Sequence, residues 1–208
     1  MSVQQKPVRN PGVMYHKNLS MKAQVSSVVK STAYHTRNIS RIRKYLTTDS
    51  TKLLVNSLVT SRLDYCNSQL AGIGTTQLDR LQRAQNYSAR VILKIPRTVD
   101  PDLSGLHWLP VKFRIDFKIA VIVFKCINGL APVYLRDLVS IYQPRRTLRS
   151  EDGILLTVPR TTNGLGDRSF TVYGPTVWNR LPKHVRETRD ICTFKKLLKT
   201  CLFKLAFK

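Results

Sequence analysis

Thr76-Gln77-Leu78-Asp79-Arg80-Leu81-Gln82-Arg83-Ala84-Gln85-Asn86-Tyr87-Ser88-Ala89-Arg90-Val91-Ile92-Leu93-Lys94-Ile95 is the stretch whose reading decides the fold. At about 100° per residue, Arg80, Arg83, Tyr87, Arg90 and Lys94 fall within an arc of roughly 80°. Leu78, Leu81, Ala84, Val91, Ile92 and Ile95 take most of the opposite arc. This is the pattern of an amphipathic helix with one face on a core and four cations and a ring on the other. The cationic stripe is about 21 Å long. Phosphates of one strand recur roughly every 3.4 Å, so the stripe could follow a nucleic-acid backbone for several nucleotides. The plain alternative is a surface helix with a solvated face; the lack of any acid on that face weighs against it.

The same period extends in both directions. Upstream, Met21, Val25, Val28, Ile39, Ile42 and Leu46 are spaced for a helix over about 19–46, with a break expected near His35. Arg37, Arg41 and Lys44 share one face at i, i+4 and i+7. Asp49 reads as the cap of a second helix that reaches Tyr65, and Gly72 and Gly74 punctuate a turn. Downstream, Pro96 ends the decisive helix and residues 97–105 read as a linker. Leu109-Pro110 starts a long helix buried through Ile115, Ile119, Ile122, Val123, Cys126 and Ile127 and closed by Gly129. A short helix follows from Ala131 to Leu138. Two short strands, about 154–158 and 169–173, are expected to form a small hairpin. Gly174-Pro175 opens a helix carrying Val177, Trp178 and Leu181, and a last amphipathic helix runs from Thr193 to about Phe203. His107-Trp108 reads as a packed staple before a helix, and Trp178 as core, in preference to ligand platforms. The expected fold is therefore mainly α, a helical bundle followed by a smaller α+β extension with a short β-hairpin.

Charge sets the class of partner. The chain has 208 residues, with 35 Lys and Arg against 12 Asp and Glu, a formal net charge of +23. Such an imbalance points to a polyanionic partner, nucleic acid or an anionic membrane, and carries no information on fold. No acid precedes Asp49, and none follows Ile191, where Lys195, Lys196, Lys199, Lys204 and Lys208 lie. Cys66, Cys126, Cys192 and Cys201 form no Cys-x-x-Cys pair, and His16, His35, His107 and His184 are scattered, so no zinc spacing exists. Reduced, mostly buried thiols are expected. No nucleophile elbow, glycine-rich phosphate loop or His-Glu-x-x-His is present, so neither cofactor, metal nor small-molecule substrate is indicated. The most apolar stretch, Ile115 to Val133, is interrupted by Asp116, Lys118, Lys125 and Asn128; it reads as a buried helix, with no membrane span. With no signal-like leader, an intracellular protein, cytoplasmic or nuclear, is expected.

Several segments taken together resemble one family. They are Ser61-Arg62-Leu63-Asp64-Tyr65-Cys66-Asn67-Ser68, Leu78 to Asn86, Leu106-His107-Trp108-Leu109-Pro110-Val111 and Asn128 to Leu135. Further on come Val158-Pro159-Arg160, Gly166-Asp167-Arg168-Ser169-Phe170, Trp178-Asn179-Arg180-Leu181-Pro182 and Phe194-Lys195-Lys196. In this order they are similar to the region after the catalytic palm in reverse transcriptases of non-LTR retrotransposons, the jockey-type long interspersed elements. Val8-Arg9-Asn10-Pro11-Gly12-Val13 resembles the last hairpin of the palm, with Pro11 where the family pattern has a leucine.

The resemblance implies a thumb that grips a template–primer duplex, here an RNA–DNA hybrid or DNA duplex. Its division of the chain is residues 1–18 as a palm-end remnant, 19–96 as the thumb-like bundle, 97–105 as linker and 106–208 as the C-terminal extension. It also implies an absence. The polymerase site needs the paired aspartates of a Tyr-x-Asp-Asp turn to hold two metal ions. No two aspartates are adjacent here, and the only neighbouring acids, Glu151 and Asp152, read as a polar loop. The expectation is a non-catalytic fragment that binds nucleic-acid backbone independently of sequence through Arg37, Arg41, Lys44, Arg80, Arg83, Tyr87, Arg90 and Lys94. Two rivals stand beside it: an inert, truncated copy of an element, and a basic module that recruits an acidic protein or, less in keeping with the family, an anionic membrane.

Overall fold

A computed structural model describes residues 8–16, 18–143 and 154–208. The chain forms two compact units, Met1–Arg114 and Ile115–Lys208. It is mainly helical, as the periodicity requires. Arg145, Arg146, Arg149 and the Glu151–Asp152 pair lie outside the described residues.

The first unit opens with an antiparallel hairpin, β1 (Val8–Asn10) and β2 (Val13–Tyr15), with Asn10 opposite Val13. Pro11 and Gly12 form its two-residue turn. Proline fixes φ near −65° and Gly12 sits at φ 83°, the pairing a type II turn demands. Pro11 therefore occupies a turn position where no ladder donor is missed. The Tyr65 hydroxyl donates to the Pro11 carbonyl at 2.9 Å, and Met14 N–H donates to Gln24 Oε1 at 2.8 Å, which fastens the hairpin to the helices.

α1 (Lys22–Ile42) runs unbroken through His35. The break expected there rested on a gap in the apolar stripe. Thr32 and Thr36 fill that gap: both are fully buried, continuing the line of Val25 to Ile39. A threonine hydroxyl can return its hydrogen bond to the preceding turn, as Thr32 does to the Val29 carbonyl at 3.0 Å. Ile42, expected in the stripe, is instead exposed, and the chain tightens into a 3-10 turn over Arg43–Tyr45.

α2 (Thr48–Val55) is capped by Thr47, whose hydroxyl accepts from Ser50 N–H at 3.1 Å. The cap is thus two residues before Asp49, which lies in the first turn, where its charge suits the helix dipole. The helix loosens into a π turn over Asn56–Thr60 and continues as α3 (Ser61–Asp64). Ser57 returns its hydroxyl to the Leu53 carbonyl at 2.9 Å, and Ser61 to that of Ser57, beside this widened turn. Cys66, at φ 51°, ends the run.

α4 (Thr75–Leu93) is the decisive helix. It ends at Lys94, left-handed at φ 57°, two residues before the expected stop at Pro96. Its buried line is Leu81, Gln85, Ser88, Ala89 and Ile92; Leu78, Ala84 and Val91, expected on that face, are only half-buried. The stretch 97–105, expected as a linker, is part of this unit. Leu103 is buried, and its carbonyl accepts from Trp108 N–H at 2.9 Å. Trp108 is buried as expected, with the Arg114 guanidinium 5.9 Å from its ring centre. α5 (Val111–Ile127) then begins directly after Pro110.

The second unit is built on the remainder of α5. Ile115, Ile119, Val123 and Cys126 are buried as expected, with Ala120 and Phe124 beside them, while Ile122 and Ile127 are half-buried. Gly129 closes the helix at φ 70°, with Leu130 N–H on the Lys125 carbonyl at 2.8 Å. α6 (Val133–Arg136) follows, then α7 (Phe170–Asn179), α8 (Lys183–Arg186) and α9 (Ile191–Ala206). Phe124, Trp178 and Phe194 stack at its centre. Phe194 lies 4.3 Å from the Phe124 ring centre and 5.7 Å from that of Trp178.

The expected hairpin of 154–158 with 169–173 is not formed. Ser169 flanks α7, and residues 170–173 are its first turn. Phe170, Val172 and Tyr173 are strand formers by type, but such preference yields to packing. Helical geometry buries Val172, Val177 and Trp178 together and lets Gly174 approach α5, where an added Cβ would stand 3.1 Å from Val123 Cγ2. Tyr173 fixes the orientation by donating to Asp116 Oδ1 at 2.8 Å. Leu156 bridges Ile141 in an isolated antiparallel pair instead. The Asn179 amide completes that pairing: its oxygen accepts from Leu156 N–H at 2.9 Å and its Nδ2 donates to the Leu156 carbonyl at 2.8 Å. One side chain stands in for the missing strand.

Asp190 caps α9, its Oδ2 accepting from Thr193 N–H at 2.7 Å. That backbone bond, foremost, holds its carboxyl below the ordinary value of 3.8. The stabilisation it adds is full above about that pH and is lost as pH falls through the lower folded value. Asp190→Ala is expected to lower the melting temperature at neutral pH and shrink that gap toward pH 3, whereas Asp190→Asn keeps the cap at both. Thermal melts across about pH 3 to 7 check it.

All four cysteines are free thiols. They are less covered than expected: Cys126 is buried, Cys66 and Cys201 are half-buried, and Cys192, on the solvent side of the first turn of α9, is exposed. Burial pushes the Cys126 and Cys201 thiols up. Among the described residues, no helix is long and apolar enough to cross a membrane.

Candidate functional site

α1 and α4 lie side by side and run in the same direction. Near their starts, Arg80 donates to Ser26 Oγ at 3.1 Å. At their ends, Arg43 reaches the last carbonyls of α4, with Nε on Val91 at 2.9 Å and a terminal nitrogen on Ile92 at 2.9 Å. The two cationic stripes expected from the sequence therefore sit on paired, parallel helices.

Their eight residues divide by environment. Arg37, Arg41 and Lys44 are exposed along and just beyond α1, with the Lys44 ammonium 4.8 Å from the Tyr45 ring centre. Arg83 is exposed on α4 and Lys94 just past its end; Arg83 donates through Nε only to the Asp79 backbone carbonyl of its own helix, at 3.3 Å. None of these five makes an ion pair among the described residues. Arg80 is half-buried and holds Gln77 Oε1 at 2.9 Å as well as Ser26. Arg90 is half-buried and fastens the following loop, donating to the Val99 carbonyl at 2.7 Å and to Asp100 Oδ1 at 3.2 Å. Tyr87 is half-buried, with Arg97 at 6.0 Å over its ring. Arg80, Arg83, Tyr87 and Arg90 lie in α4, whereas Lys94 is the left-handed residue that follows it, and the loop after α4 folds back over Tyr87 and Arg90.

Sequence reasoning missed the polar groups that hold this face rigid. Gln85 is buried and donates to the Leu109 carbonyl at 2.9 Å; Gln82 donates to Gln85 Oε1 at 3.0 Å and accepts from Val111 N–H at 2.9 Å. Arg114 pairs with Asp64 at 2.7 Å. The signal for the glutamines was their heptad-like place on the decisive helix; nothing in the sequence marks Arg43 as the one buried cation of a basic run.

A groove of about 550 Å³ opens between the hairpin, α1 and the turns around α3. Arg9 and Arg62 flank it, and Ser27, Ser31, Ser57 and Ser61 line it, the last two with their hydroxyls already donated to backbone carbonyls of their own helix. Nearby His35 has its imidazole pKa held below the ordinary value, first by burial and then by the Arg62 charge. No group of three or more His, Cys, Asp or Glu side chains able to hold a metal ion occurs among the described residues.

No protein-family model matches the chain, and neither a curated protein nor a solved structure matches it.

Proposed function

We propose that this chain is the non-catalytic, post-palm region of a non-LTR retrotransposon reverse transcriptase and binds nucleic-acid backbone independently of sequence. The reading rests on the family resemblance of its motifs. The observation that carries its binding part is the set of exposed cations on and just beyond two parallel helices, Arg37, Arg41, Lys44, Arg83 and Lys94, without a carboxylate partner among the described residues. Arg80 and Arg90 serve first as ties within the unit, and Tyr87 is partly covered. Phosphate contacts position a duplex but read no bases, which fits an RNA–DNA hybrid or DNA duplex of any sequence. An intracellular setting, nuclear or cytoplasmic, follows from such a partner.

Binding to a labelled RNA–DNA hybrid, followed by anisotropy from about 50 to 300 mM salt, tests this. The expected log–log slope is about −4 or steeper, since several phosphates are engaged. Arg41→Glu with Arg83→Glu is expected to weaken binding at least tenfold at low salt and flatten the slope by roughly 2. An unchanged affinity in the folded double variant would refute the interface. No binding by folded wild-type protein would leave the inert-remnant reading.

A further inference from the structure

The face of α1 that carries Arg37 and Arg41 holds more than charge. Lys30, Tyr34, Arg37 and Arg41 recur at i, i+4, i+7 and i+11, the spacing that keeps side chains on one side of a helix. All four are exposed, and Lys44 and Tyr45 prolong the row through the 3-10 turn. Tyr34 is 62% and Tyr45 77% exposed, which sets them apart from half-covered Tyr87. Neither hydroxyl has a hydrogen-bond partner among the described residues. The opposite face, through Val25, Thr32, Thr36 and Ile39, is buried, so the helix cannot turn these rings inward.

Two exposed rings are set among four cations, with no acid anywhere before Asp49, and the only ring contacts they make among the described residues are local ones, Tyr34 with His35 and Tyr45 with Lys44. They have the make-up of a single-strand platform: cations track the phosphates while rings stack on unpaired bases. A duplex keeps its base faces to itself and would use only the charges. Counting about 1.5 Å per residue in the helix and 2.0 Å in the 3-10 turn, the rings lie roughly 18 Å apart along the axis. That is the span of a few nucleotides of an unpaired strand, on the order of a small single-strand site. The Tyr34 ring is further fixed by an edge contact with His35, centroids 5.2 Å apart.

We propose that this face of α1 is a binding site for single-stranded nucleic acid, with Tyr34 and Tyr45 stacking on bases and Lys30, Arg37, Arg41 and Lys44 holding phosphates. The proposal rests on the nucleic-acid reading above and adds the kind of strand.

The full chain is titrated by anisotropy against a labelled oligo(dT) of about 15 nucleotides and a blunt duplex of the same length, at one salt concentration. Tyr34→Ala with Tyr45→Ala is expected to weaken oligo(dT) binding tenfold or more while changing duplex affinity less than twofold. Its salt slope stays that of wild type because no cation is lost. Tyr34→Trp with Tyr45→Trp restores single-strand affinity. Both rings are exposed, so the melting temperature is expected to hold and serves as the folding control. Unchanged oligo(dT) affinity in the alanine variant, or equal losses on single strand and duplex, overturns the platform while backbone binding stands. Absence of salt-dependent binding to either oligonucleotide by wild type overturns both readings.

Discussion

Arg43→Met is expected to lower the unfolding free energy by about 3 kcal/mol, the larger share being carbonyls left without donors. Arg43 is only 7% exposed, yet among the described residues it makes no ion pair with a carboxylate. Its charge rests on backbone oxygens: Val91 and Ile92 at the end of α4 and, at 2.7 Å, Leu46, with Thr48 Oγ1 at 3.4 Å. The last carbonyls of a helix lack partners within it and carry its negative pole, so a guanidinium there both caps and neutralises. Methionine fills the volume but donates nothing, which isolates the polar contribution. Arg43→Lys is expected to recover less than half, because an ammonium cannot span the divergent oxygens that the planar fork reaches. Urea denaturation checks this through the midpoint at an unchanged m-value. A loss below about 1 kcal/mol would mean that water replaces the guanidinium at these carbonyls, and that the α1–α4 pairing stands on its apolar contacts.

The same residue marks where the sequence stops being readable. Periodicity placed α4 within two residues at either end because a long amphipathic pattern needs only local information. It misjudged which residues are buried because it assigns polar groups to solvent. Gln85 is buried since a carbonyl 24 residues away, that of Leu109, satisfies its amide. Arg43 is buried by partners 48 and 49 residues on. Neither partner can be inferred from a local window. The strand expected at 169–173 failed similarly, overruled by Gly174 against Val123 and by Tyr173 on Asp116. The candidate site was legible in its charges, and Arg37 and Arg41 are as exposed as their spacing requires. Its tyrosines were not, because Tyr34 and Tyr45 become notable only once their exposure is known.

Trp178→Ala is expected to have the largest effect on the second unit, about 3–5 kcal/mol, which is a large part of the 5–15 kcal/mol typical of a whole domain. The indole is fully buried, stacks against Phe194, and donates through Nε1 to the Ile154 carbonyl at 2.9 Å. Alanine leaves a cavity at the point where α5, α7 and α9 bring their rings together, and Phe194 loses one of its two stacked neighbours. Trp178→Phe separates ring packing from the hydrogen bond. It keeps a ring on Phe194 and gives up the donor, but Ile154 is not orphaned, because Arg186 also donates to that carbonyl at 3.0 Å. The phenylalanine variant is therefore expected to lose only about 1–2 kcal/mol. Thermal melts followed by circular dichroism separate the two, since the alanine variant should melt about 12 °C or more below wild type and the phenylalanine variant by less than half of the alanine shift. Equal losses would place the stabilisation in the Nε1 hydrogen bond, and Arg186 would then be an inadequate second donor to Ile154.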